Sequence, residues 1–494
     1  MLGRGRKLAE LAIEIGGVTH GDPDVIVTDV THDSRHAAQG TMYVAVRGSH
    51  FDGHDFIGGA IAAGSTAVCV DHFTGSGVAE LEVADTRAVM GPLSAAVHGD
   101  PSATVAVVGV TGTNGKTTVT HYVESIMASA GRTPGLIGTV HTRVGEHALV
   151  SERTTPEATD FQRLLAEMRD LGANVIAAEI SSHALALGRV SATKFAVAAF
   201  TNLSQDHLDF HGDMASYQTA KERLFRDYEV GVAVINVNDP VGREIGGWAS
   251  PPRILIGRGD LWAENVATSL QGTSFDLLAG GFRIPVVAPL IGAFNVENAL
   301  VAAGCCLALG LDMEEVVAGL RVLSPVPGRF ELVSSPFPVH VVVDYAHTPE
   351  GIHQAIAVAR EVAPGRVIAV FGAGGDRDKE KRPLMGRAAI EADLSVLTSD
   401  NPRSEDPEAI MRDVMSGIEE SEVVVEADRR RAIEHAIRAA SPGDVVLVLG
   451  KGHEKGQEIG DRVLPFDDKV VAGEILERIA RSSDLGGGSG SMSP

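Results

Sequence analysis

One junction constrains this chain more than any other feature. The apolar, β-branched run 103–110 leads through Thr111 into Gly112-Thr113-Asn114-Gly115-Lys116-Thr117-Thr118, and a helical stretch follows over 117–127. A strand that turns through glycines into a helix start gathers backbone N–H groups and the positive end of the helix dipole at one point, which is a cradle for phosphate. Lys116 adds a point charge there, and Thr117 offers a hydroxyl of the kind that ligates Mg²⁺. Val110 replaces the first glycine of the general GxxxxGK[ST] pattern, but the core GxxGKT remains. The competing reading, a glycine-rich turn with a surface lysine, does not require strand, loop and helix in this order. Nucleotide binding does.

The same alternation extends along the chain. Strands are expected at 174–180, 195–203 and 230–237, and beyond a break they recur at 366–371, 394–398 and 445–449, alternating with helices such as 407–418. The break itself is Ser324-Pro325-Val326-Pro327-Gly328, where two prolines and a glycine interrupt both helix and ladder. A polar, proline-containing stretch at 98–102 separates an opening unit with a strand at 40–46 and a helix at 56–63. At roughly 150 residues per domain, about three domains are expected. They are residues 1–100, a central P-loop parallel-sheet domain over 101–328, and a Rossmann-like unit over 329–484. The closing LGGGSGSMSP, 485–494, reads as a flexible tail.

Charge and composition exclude several classes of protein. Forty-two basic against 65 acidic side chains leave a net charge of −23, so no nucleic-acid partner is expected. Apolar runs fall short of the ~20 residues of a membrane helix, so no membrane association is expected. The basic cluster Arg4, Arg6 and Lys7 precedes a stretch broken by Glu10 and Glu14, which reads as an amphipathic helix and not a secretion signal. The three cysteines, Cys69, Cys305 and Cys306, lack metal-ligand spacing and sit in apolar surroundings, as buried thiols of a reducing compartment do. A cytoplasmic monomer is the expectation.

The string GTNGKTT, followed by NLSQDHLD and GAFNVENA, resembles the ATP-dependent Mur ligase family. TTPEA, EISSHAL, GGDRDKEKRPLMG, DNPR and GKGHE also occur in order, which is similar to members that add the third residue to UDP-N-acetylmuramoyl-L-alanyl-D-glutamate. The likeness spans almost the whole chain. It implies an N-terminal UDP-binding domain, a central ATPase domain and a C-terminal Rossmann-like domain that closes over an amino acid. The implied activity is peptide-forming ligation in cytoplasmic peptidoglycan synthesis, with ATP as co-substrate and Mg²⁺ as cofactor. The carboxylate is first phosphorylated, because an amide does not form spontaneously from carboxylate and amine in water. The acyl phosphate is then attacked by the amine.

Roles follow residue by residue from the resemblance. Glu179, at the end of an apolar strand, shares Mg²⁺ with Thr117; His207 ligates a second Mg²⁺; Lys221, in Ala220-Lys-Glu-Arg223, matches a lysine that is carbamylated in the family and bridges toward metal. With Lys116 these form the catalytic set. Asn295 and Asn298, three apart on one helix face, hold adenine. Arg329, Asp344 and His347 contact ATP phosphate and ribose. Ser34, in Asp33-Ser-Arg35, matches a uridine-diphosphate contact, while Thr154, Thr155, Ser181 and Arg189 line the muramoyl-peptide. Leu187 stands where some relatives carry glutamine, and Ala373 where cysteine is common.

The amino acid falls to Arg377, Asp400-Asn401-Pro402-Arg403, Gly450 and Glu454. These lie in three loops that each follow an expected strand, and in open parallel sheets such loops converge beyond the carboxyl ends. Arg403 favours meso-2,6-diaminopimelate over L-lysine, since the former carries a distal carboxylate that a guanidinium pairs bidentately. Other readings are the same ligase using L-lysine, a folylpolyglutamate synthase-like ligase, and a nucleotide-controlled binding protein without ligation. The DSR and DNPR strings disfavour the second, and the retained Lys116, Glu179, His207 and Lys221 the third.

Overall fold

Runs of valine, isoleucine and alanine bounded by glycine suit strands that are covered on both faces. In the computed structural model, which describes residues 5–48, 51–151, 153–250, 252–418 and 423–486, such runs build three larger sheets. The N-terminal sheet has the order Val18–His20, Ala79–Glu82, Ala67–Val70, Thr41–Val44, Asp29–Thr31, parallel except for its first strand. Helix Thr86–His98 starts on the Asp85 side chain, which accepts from the N–H groups of Arg87 and Ala88, and stops at left-handed Gly99. It packs on helix Ala158–Asp170 of the central unit. Ser94 Oγ donates to the Thr159 carbonyl (3.0 Å) and Arg163 pairs with Asp29 (3.1 Å) across that seam.

In the central sheet, Ala106–Thr111 lies between Val175–Glu179 and Phe195–Phe200, and the strands run parallel from Pro134–Ile137 through to Arg253–Ile256. Strands not anticipated from the sequence extend both edges, antiparallel to one another except where Leu261 meets Ile256 in parallel register. Thr142–Val144 and His147–Ala148 lie on one side; Leu261–Ser269, Gly272–Ala279 and Phe282–Ala288 lie on the other. Edge strands have one solvated face, so their polar alternation lacks the continuous apolar signature of the centre.

The C-terminal sheet has the order Glu331–Val333, His340–Asp344, Val445–Leu449, Val367–Phe371, Leu394–Leu397, Val423–Val425, parallel except for its first strand. Beneath its strand ends, Arg429 and Asp468 form a fully buried ion pair (2.6 Å), and Arg429 Nη2 also donates to the Leu449 carbonyl at 2.9 Å. Helix Asp468–Gly486 includes residues 485 and 486, which composition assigns to a flexible tail. Once nucleated, a helix gains a hydrogen bond for each residue added, and it propagates past the composition change. The rest of the expected tail, 487–494, lies outside the described residues, as does Arg4. Cys69, Cys305 and Cys306 are buried free thiols, the first in the N-terminal sheet and the others in helix Ala293–Ala308. Among the described residues, no helix is long and apolar enough to cross a membrane.

Candidate active site

The strand Ala106–Thr111 ends in a loop that only glycine can make. A Cβ on Gly112 (φ +149) would lie 1.8 Å from Thr201 Oγ1, and one on Gly115 (φ +86) would lie 2.3 Å from Asn298 Oδ1. Helix Lys116–Ser129 follows at once, which aims its first N–H groups at the cleft. Lys116 Nζ donates to the carbonyls of Gly112 (2.9 Å) and Thr113 (2.8 Å), and burial lowers its pKa. Asn202 braces the loop by accepting from Asn114 N–H at 2.9 Å.

Strand Val175–Glu179 delivers Glu179 beside that helix start. Its carboxylate accepts from Thr117 Oγ1 (2.8 Å), Thr139 N–H (2.7 Å) and Thr139 Oγ1 (3.2 Å). Thr154 reaches Thr139 (3.0 Å), Thr155 Oγ1 donates to the Glu179 carbonyl (2.7 Å), and Ser181 N–H donates to Thr155 (3.1 Å). Arg329 Nη2 donates to Thr117 Oγ1 at 3.0 Å, and its guanidinium lies over the Tyr345 ring. A chain of hydroxyls thus links phosphate loop, carboxylate and domain junction.

His207 has a left-handed backbone (φ +56) and precedes helix Leu208–His211. Burial pushes its pKa down to about 3, so the imidazole is neutral and retains a lone pair. Lys221, on helix Met214–Arg226, is buried, donates to the Gly112 carbonyl at 2.7 Å and lies over Tyr217. Burial, reinforced by Lys116, holds its ammonium well below the ordinary lysine range. Next to His207, Asp206 accepts from Lys381 Nζ at 3.0 Å, and its other oxygen lies 3.5 Å from His207 and 3.7 Å from His347. Burial pushes the Asp206 carboxyl upward, but His347, Lys381 and His207 together hold it well below the usual carboxylate range.

From the C-terminal sheet come Arg377, Asp400, Asn401, Arg403, Gly450 and Glu454, all lining the same cleft of about 710 Å³ as the phosphate loop. The fully buried Lys451 ties two of these loops together, donating to Asn401 Oδ1 (3.0 Å), Glu454 (3.1 Å) and the Gly456 carbonyl (2.5 Å). Asn401 Nδ2 donates to Glu454 at 2.7 Å. Arg403 is half-buried, with Nε 2.7 Å from Glu458 and Nη1 donating to the Gly375 carbonyl at 2.7 Å. Asp344 accepts from the N–H groups of Phe330 (2.6 Å) and Ala346 (2.8 Å), and burial raises its pKa.

The cleft wall therefore carries residues 113–118, Glu179, His207, Lys221, Asn298, Arg329, Asp344, His347, Thr154 and Ser181 of the expected set. Several others are placed differently. Gly112 and Thr155 support the wall from behind, and Pro402 backs the turn at Gly375. Asn295 points into the packing, donating to the Ile291 carbonyl at 2.9 Å. Arg189 is turned to Glu157 at 2.9 Å, and Ser34 sits on the turn Ser34–His36 of the N-terminal unit, off this cleft. Sequence reasoning overlooks Thr139, Asp206, Lys381 and Lys451. The last three are charged residues inside the quoted motifs, whereas Thr139 gives no sequence signal at all.

Comparison with known proteins places this geometry among relatives. Family profiles described as Mur ligase family, catalytic domain; Mur ligase middle domain; and Mur ligase, glutamate ligase domain match residues 26–97, 110–306 and 328–452. The UDP-N-acetylmuramoyl-L-alanyl-D-glutamate--2,6-diaminopimelate ligase of Aquifex aeolicus is 44% identical over 453 residues, 91% of this chain and 94% of that one. Its namesake from Streptomyces coelicolor is 43% identical over 489 residues, 95% and 96% of the two chains. A solved structure of a ligase with the same name superposes with a TM-score of 0.69 at 32% identity, covering 96% of this chain and 99% of that one. Folylpolyglutamate synthase of Mycobacterium tuberculosis, in complex with ADP and AMPPCP, shares the fold alone, with a TM-score of 0.60 at 19% identity over 73% of this chain and 92% of that one. With three consecutive family profiles across its three sheets and full-length relatives above 40% identity, the chain belongs to the Mur ligase family.

Proposed function

We propose that this protein joins meso-2,6-diaminopimelate to UDP-N-acetylmuramoyl-L-alanyl-D-glutamate at the expense of ATP, as an acid–amino-acid ligase of peptidoglycan synthesis. One observation carries the reading: the DNPR and GKGHE loops open into the same cleft as the phosphate loop, so a carboxyl phosphorylated at one wall faces an amine held at the other. Lys116 would exchange its two loop carbonyls for the phosphates of ATP, and Arg329 would bring a second cation across the junction. Asn298 offers the adenine its amide, and Asp344 and His347 approach from the C-terminal side. Thr154, Ser181 and Ser34 would contact the UDP-linked dipeptide, with Thr155 bracing the wall behind them and Arg189 oriented by Glu157. The amine substrate falls to Arg377, the loop 400–403, Gly450 and Glu454.

The donors fit Mg²⁺: a hydroxyl and a carboxylate already in contact at Thr117 and Glu179, and the neutral ring of His207. When bound, the ion neutralises charge that develops on the transferring phosphoryl group. Lys221 fits carbamylation, in which a neutral amine adds CO₂ and releases a proton, because burial favours its uncharged form. The functional units are proposed to be 1–100, 101–328 and 329–484, in a monomer working in the cytoplasm without nucleic acid or membrane.

L-Lysine is the second reading, since the Glu458 carboxylate 2.7 Å from Arg403 partly balances the guanidinium and would attract an ammonium. Competition between the two amino acids, with ATP and the UDP-linked dipeptide, decides. Diaminopimelate should be preferred by more than about a hundredfold, a margin set by one charge-assisted pair plus like-charge repulsion. Arg403→Ala should erase most of it. Equal use of lysine, or an unchanged preference in the variant, rules out the diaminopimelate assignment, and ADP release without amide rules out ligation.

A further inference from the structure

Asp206 and Lys381 are 175 residues apart, one beside the phosphate loop and the other opening helix Lys381–Ala389 of the C-terminal sheet, yet both are buried and their charged ends meet at 3.0 Å. His347, three residues past the C-terminal strand His340–Asp344, approaches the second oxygen of the same carboxylate. Lys381 and His347, both from the C-terminal unit, therefore converge on a single acidic side chain of the central unit. Lys116 acts on Asp206 only through longer-range attraction, its ammonium being taken up by the Gly112 and Thr113 carbonyls. The pair exists only while the two units are seated together, and deleting the lysine alone would leave the carboxylate buried without its hydrogen-bonded cation.

We propose that Lys381 is a positioning residue, whose bond to Asp206 latches the amine-binding loops over the phosphate loop so that the activated carboxyl meets the amine before it meets water. This rests on the ligase reading. With the latch closed, the neutral amine nitrogen bonds to the carbonyl carbon and the C–O bond to phosphate breaks, the amine's proton leaving with the phosphate, to give amide and inorganic phosphate. With it loosened, water takes the place of the amine, and the same phosphate leaves with the carboxylate regenerated. ATP is then consumed without product.

The test measures ADP and amide together in the full-length protein, for the wild type, Lys381→Met and Lys381→Arg. The wild type should give one ADP per amide. The methionine variant should give at least about three, with the KM for the amine raised about tenfold and the KM for ATP changed less than about twofold. The arginine variant keeps the charge and should recover most of the coupling. A purely structural role would lower all rates together and leave the ratio at one. If Lys381→Met does not fold by circular dichroism, Lys381→Gln supplies the same comparison. An unchanged ratio and amine KM in the neutral variants overturns the latch, as does an arginine variant as uncoupled as they are. A wild type that makes no amide overturns the ligase reading instead.

Discussion

Lys116 is bonded to the carbonyls of the loop that carries it, so its charge is stored at the mouth of the cradle. Replacing it with alanine removes that charge without opening a core cavity. Lys116→Ala should lose at least about a hundredfold in amide formation, as when one preorganised charge donor is deleted, and keep its circular dichroism spectrum. Near-normal ligation by the folded variant would contradict the assignment. Two other buried side chains govern acid stability. Burial pushes His121 down to about 3 and His453 down to about 4, and each has a ring nitrogen without a hydrogen-bond partner. Both groups have folded pKa values below the unfolded value of about 6.5, so the unfolded chain binds more protons in that window. Their contribution is complete above pH 6.5 and is lost as the pH falls toward 4 and then 3. Urea midpoints measured at pH 7.5 and pH 5 should show the drop, and a His121→Gln variant should show less of it.

Among the elements, the buried pair of Arg429 and Asp468 fastens helix Arg429–Ala439 to helix Asp468–Gly486 under the ends of strands that bear the amine-binding loops. Arg429→Met leaves Asp468 uncompensated and should cost roughly 3–5 kcal/mol, read from urea unfolding of the C-terminal unit. A variant within 1 kcal/mol of the wild type, about what an exposed pair is worth, would mean that the pair is solvated. The parallel strands were legible because burial on both faces leaves continuous runs such as VVLVL at Val445–Leu449. The meander from Leu261 to Ala288 was not, because its strands are half solvated and their pairing is set by neighbours rather than by local composition. At the site, glycines and the phosphate-loop lysine announce themselves through spacing. Arg189 and Thr139 depend on partners that no local pattern encodes, Glu157 and Glu179, while Asn295 turns back to the carbonyl of Ile291 four residues earlier.

Taken as a whole, the molecule closes around Gly328. A Cβ there would lie 2.2 Å from His453 N and 2.4 Å from Gly452 C, and the residue has φ +66. Alanine cannot be accommodated while the GKGHE loop is seated, so Gly328→Ala should displace the C-terminal unit. The amine then sits off line, at a loss on the order of a hundredfold in ligation. Small-angle scattering should show a larger radius of gyration, and an unchanged radius with full activity would mean that the junction yields locally. The distribution of thiols has its own use in such measurements. Cys69 lies inside the N-terminal sheet, Cys305 and Cys306 lie under the central one, and beyond Gly328 the sequence has none. A buried thiol reacts with a maleimide only when its surroundings open. Pulsed alkylation followed by peptide mass mapping would therefore time the opening of the first two units separately, with no engineered probe and no background from the third.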